Sequence, residues 1–163
     1  MSSRWISKVI EDLRRQWVAD GHAASFQAIN SGQCEDFAEL VVDTVREQAG
    51  GDSPEIDKAQ ICDFFRIDPE TGYAFQHGGP VDRELLLATL PDMTPPAGMS
   101  WDDLDRFVSE TGIGPGLHAF VVCDGVAYDS EAPQGVSSIF DLPFFERFME
   151  KNGYSPPDQH RRR

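Results

Sequence analysis

Long hydrophobic runs are missing from this chain. Charged and polar residues interrupt every apolar stretch far short of the roughly 20 residues a membrane-spanning helix needs, so no such helix is expected. Cysteine is scarce: Cys34, Cys62 and Cys123 are the only three in 163 residues. An odd, widely spaced set is not a disulfide framework. It suits a reducing compartment where a thiol stays free, so a cytoplasmic location is expected. The N-terminal stretch is mixed and charged from Arg4 to Arg15, unlike a secretory leader. His22, His77, His118 and His160 are isolated, and no metal-ligand spacing appears. A P-loop, a dinucleotide fingerprint and a calcium loop are all absent, so neither metal nor cofactor is expected. Positive charge is also short, with 14 Lys and Arg against 28 Asp and Glu for a net charge of −14. No basic stripe offsets phosphate repulsion, which argues against direct nucleic-acid binding, and the run Arg161-Arg162-Arg163 is too short to change that.

What is present is an ordinary globular composition, 40% hydrophobic, enough to bury a core. The length suits one domain, taken as residues 1–155 with a polar tail over 156–163. Trp5, Ile6, Val9, Ile10, Leu13 and Trp17 recur at helical spacing, predicting a helix from Arg4 to Ala19 that Asp20-Gly21 ends. Phe37, Ala38, Val41, Val42 and Val45 predict a second helix from Cys34 to about Gln48, stopped by Gly50-Gly51. Ile61 to Ile67 reads as a short strand, Asp68 to Gly72 as a turn, and Tyr73 to Phe75 as a return strand. Short helices are expected over Asp82–Leu90 and, capped by Ser100 with Asp103, over Trp101–Glu110. Leu117 to Cys123 is the clearest strand, followed by the two-residue hairpin turn Asp124-Gly125 and a return over Val126–Asp129. Ser130 to Ser138 reads as a loop, and a last helix spans Leu142–Asn152, with Phe144, Phe145 and Phe148 as core. The fold class is α+β.

Cys34 follows Ser31-Gly32-Gln33 at a helix start, where free backbone N–H groups and the helix dipole favour a thiolate. The same N–H groups, at Gln33 and Cys34, are candidate oxyanion donors, with the Gln33 side chain as a second source. Glu35 and Asp36 act the other way on the thiol, so a nearby imidazolium is required. His118 opens the clear strand. If the two-residue turn holds, Asp129 lies on the same sheet face, diagonal to it and within reach of a hydrogen bond. Each residue also has a plainer role: Cys34 as a small buried apolar group, His118 as a strand-end histidine, Asp129 as a turn cap. Together they are the parts of a nucleophile, a base and an orienting acid.

The segment Gly32-Gln33-Cys34-Glu35-Asp36-Phe37-Ala38 resembles the nucleophile segment of papain-like and transglutaminase-like cysteine enzymes, and His118 to Asp129 looks like their His-to-Asp hairpin. Small members carried by phages and bacteria look similar. The resemblance implies a papain-like (NlpC/P60- or transglutaminase-like) fold, with N-terminal helices packed on a small antiparallel sheet. It implies a Cys34-His118-Asp129 triad that cleaves or transfers an amide or related acyl bond of a peptide or protein substrate. Phe120 stands where transglutaminase-like members often have Trp, and the His-to-Asp interval is short for them. Peptidase, deamidase and transferase all remain open. The rival expectation is a non-enzymatic acidic binding or decoy protein on the same scaffold.

Overall fold

Ser3–Ala19 folds as helix α1, whose Ile6, Val9 and Ile10 are buried on one side. The computed structural model describes residues 3–61, 84, 87–88, 90–111 and 118–154. Asp20 and Gly21 end α1, with Gly21 at φ +81 as the αL residue that closes the last turn. A one-turn helix α2, Phe26–Ile29, follows. Ser25 caps it by accepting from the Ala28 N–H at 3.0 Å. Helix α3, Cys34–Ala49, buries Phe37, Ala38, Val41, Val42 and Val45 at helical spacing.

Strand β1 is Ile56–Ile61; of the strand expected over Ile61–Ile67, only Ile61 is among the described residues. The expected turn at Asp68–Gly72 and strand at Tyr73–Phe75 lie outside the described residues, as do Cys62 and His77. Of the expected Asp82–Leu90 helix, Glu84, Leu87, Ala88 and Leu90 are described; the first three are helical and Leu90 is a bend. Helix α4, Trp101–Thr111, opens with a reciprocal capping box. Ser100 N–H donates to Asp103 Oδ2, and Asp103 N–H donates to Ser100 Oγ, both at 3.0 Å.

Strands β2, His118–Cys123, and β3, Val126–Asp129, are joined by Asp124-Gly125 with φ +51 and +78. Two successive positive φ values match the right-handed twist of the strands on either side, as in a type I′ turn. The segment read as a loop contains strand β4, Ala132–Val136. Pro133 and Gly135 hid it from sequence patterning, yet a β-edge tolerates both. A 3-10 turn, Ile139–Asp141, leads to helix α5, Pro143–Lys151.

The sheet is antiparallel in the order β1-β2-β3-β4, so the architecture is mixed α+β. Its two faces carry separate cores. Ile56, Val121, Cys123 and Tyr128 pack against α1 and α3. Ala59, Phe120 and Ala127 pack with Leu104 of α4 and with Phe145 and Met149 of α5. Alternation along β2 thus serves both layers, and α3 meets the sheet with its N-terminus at the start of β2. No helix among the described residues is long and apolar enough to cross a membrane.

Candidate active site

The approach to Cys34 is built by the turn that precedes it. Ser31 N–H donates to Ala28 O and Gln33 N–H to Ile29 O, each at 3.0 Å, and Gly32 takes φ +124. An L side chain at Gly32 would be strained there. Gln33 does not serve the expected oxyanion role. Its backbone N–H is spent on Ile29, its side-chain N–H donates to His22 O at 2.6 Å, and its Oε1 accepts from the Trp17 indole at 2.6 Å. Gln33 instead braces the turn against α1. Of the two expected donors, the Cys34 N–H remains, because the first residue of a helix stands outside the helix's own bonding ladder.

The Cys34 sulfur is half-buried and accepts a hydrogen bond from the Ala119 N–H at 3.4 Å, across 85 positions of sequence. Its neighbour on β2 is His118, which is 0% exposed. His118 Nε2–H donates to Asp129 Oδ2 at 2.9 Å. A carboxylate only accepts, so this bond assigns the proton to Nε2 and leaves the lone pair of the neutral ring on Nδ1. Nδ1 is buried and makes no aligned hydrogen bond among the described residues. Asp129 is itself fixed, with Oδ1 accepting from the Glu131 and Ala132 N–H groups at 2.9 and 3.0 Å.

Electrostatics couple the sulfur to the ring. Burial pushes the Cys34 thiol up, but the His118 ring and the N–H groups of Ala119 and Glu35 outweigh it, so the thiol ionises below its ordinary 9.0. Burial pulls the imidazole down, and the Asp129 bond and the Cys34 sulfur reverse this, leaving it above its ordinary 6.5. Both shifts favour a thiolate beside an imidazolium. Cys123 behaves oppositely: burial, reinforced by the Asp124 carboxylate, pushes its thiol up to about 11.

The three expected residues Cys34, His118 and Asp129 therefore meet at one end of the sheet. Around them the structure adds groups that the sequence did not connect to the site. Phe144 of α5 stacks on the imidazole with ring centroids 4.2 Å apart and planes 10° off parallel, and Phe145 makes a T-shaped contact with it at 5.7 Å. Glu131 accepts from Asn30 Nδ2 at 3.0 Å and holds Arg147 of α5 through two bonds of 2.9 and 2.8 Å. Asn30, only 3% exposed, lines the crevice that also holds Cys34 and Asp129. The paired phenylalanines were visible in the sequence but carried only a core signal. Nothing in the local pattern linked Asn30 to Glu131 across 101 positions. Among the described residues no cluster of three or more His, Cys, Asp or Glu is placed to hold a metal ion. Comparison with protein-family models, curated proteins and solved structures gave no match.

Proposed function

We propose that this chain is a cysteine-dependent hydrolase or acyltransferase acting on an amide or related acyl bond, of the papain-like or transglutaminase-like kind. The observation that carries the reading is a half-buried helix-start sulfur held by the Ala119 N–H, next in the chain to a fully buried imidazole whose Nε2 is bonded to a fixed carboxylate. In the reaction, Nδ1 of His118 takes the proton of the Cys34 thiol. The sulfur attacks the acyl carbon, and the carbonyl electron pair moves to oxygen, where the Cys34 N–H donates to it. Collapse of the tetrahedral intermediate expels the leaving amine, which takes the proton back from His118. Water or an acceptor amine then releases the acyl group from the thioester, and Cys34 recovers its proton. Asp129 keeps the ring oriented and stabilises its charged form throughout.

Alkylation with iodoacetamide tests this directly. Cys34 should label faster than Cys123, with a pH midpoint below that of a free thiol, and His118→Gln should move that midpoint up. Peptide mass spectrometry reads each site separately. Slow, equal labelling of Cys34 and Cys123 would overturn the enzyme reading and leave an acidic binding protein on this scaffold.

A further inference from the structure

The imidazole of His118 is enclosed by aromatic carbon on α5, and the arrangement is asymmetric. Phe145 meets the ring in a T-shaped contact at 5.7 Å, whereas Phe144 lays its face over the ring at 4.2 Å and 10°, closer and more nearly parallel than Phe120 of β2 at 6.0 Å and 25°. An aromatic face carries the negative end of its quadrupole and attracts a cation above it, most strongly where water is excluded. His118 is 0% exposed, so this contact is desolvated.

Phe144 is also held in place from two sides. Pro143 starts α5, with Leu142, fully buried, as its N-cap. One turn along the same helix, Arg147 is clasped by both carboxylate oxygens of Glu131. The Glu131 N–H is itself a ligand of Asp129 Oδ1 at 2.9 Å. The residue that anchors α5 therefore also anchors the carboxylate behind the ring.

We infer that Phe144 is a positioning residue of the candidate site: its ring face, fastened over His118 by the Arg147–Glu131 clasp, sets the plane of the imidazole and favours its protonated form. The inference rests on the thiol-enzyme reading and deepens it. The charged or titratable groups that act on the ring are Asp129 from β3 and Cys34 from α3. On β1 the residue in register with His118 is Ile61. From α5, Phe144 and Phe145 meet the ring, while Arg147 acts on Asp129 and is engaged by Glu131. The role of Phe144 is thus separable from that of the ionic partners.

The test compares the full-length wild type with Phe144→Leu, Phe144→Tyr and a chain carrying pentafluorophenylalanine at 144. Leucine keeps an apolar cover without a π face, tyrosine keeps the face, and fluorination keeps the shape while inverting the quadrupole. Two quantities are read against pH: the rate of Cys34 alkylation by iodoacetamide, and the His118 ring resonances by NMR. The leucine and fluorinated variants should lower the His118 midpoint and raise that of Cys34 by roughly one pH unit, the size of a desolvated cation–π contact, and tyrosine should restore both. A purely structural role would lower the melting temperature and leave the midpoints in place. A depressed wild-type Cys34 midpoint that persists in both the leucine and the fluorinated proteins overturns this inference alone. A wild-type Cys34 that titrates like a free thiol overturns it together with the enzyme reading.

Discussion

Asp129 uses both carboxylate oxygens, one on the His118 ring and the other on two backbone N–H groups of the turn that follows. Removing it strips three donors of their acceptor in a site that is 3% exposed or less at Asp129 and His118. Asp129→Ala should therefore cost about 3 kcal/mol in urea unfolding, beyond any effect on chemistry. The ring adds a pH dependence of its own. Its native pKa lies above 6.5. A group so raised stabilises the fold fully below about pH 6.5 and loses that contribution as pH climbs through the native value. The lowered Cys34 thiol works oppositely, its contribution growing as pH rises towards 9.0, so urea midpoints followed from about pH 6 to pH 9 should show the His118 decline in Cys34→Ser and lack it when His118→Gln is added. Cys34, His118 and Asp129 were legible because each sits at a boundary that sequence marks well: a helix start, a strand start and the end of a hairpin. Gln33 was misread because its partners, the Trp17 indole and the His22 carbonyl, depend on how α1 returns over the turn.

Elements defined by strong local chemistry were readable within a residue or two. The periodicity of α1 and α3, the Ser100–Asp103 box of α4 and the Asp124-Gly125 turn all act over a few positions. Strands β1 and β4 were not readable. Ile56 and Ala59, both buried on β1, fall on opposite faces and serve different cores, so no alternation shows. Strand β4 carries Pro133 and Gly135, and its pairing with β3 shifts register between Ala127 and Asp129. Gly135 has a reason that only packing supplies. At φ +82, a Cβ there would sit 2.5 Å from Val126 Cγ1 and 2.7 Å from the Tyr128 ring. Gly135→Ala should thus destabilise the protein by roughly 2 kcal/mol in urea unfolding, through crowding and backbone strain together.

Across the whole molecule, the sheet is a partition with a core on either side, and the site sits at one end of it. Phe120 is fully buried on the α4 and α5 face and lies two residues beyond His118 on the same strand face. Phe120→Ala should cost about 4 kcal/mol by calorimetry, with a falling Cys34 alkylation rate as the imidazole loses its support. Sequence by itself determined helices α1, α3, α4 and α5, the central hairpin, the α+β class and the three chemically distinctive residues, because these follow from periodicity, capping and turn chemistry within short windows. Only tertiary structure decided that the sulfur of Cys34 lies against β2, that Gln33 is a brace, and that α5 lays Phe144 on the ring of His118. Those pairings join segments up to 85 residues apart. Contacts at that range depend on how whole layers stack, and no local pattern encodes it.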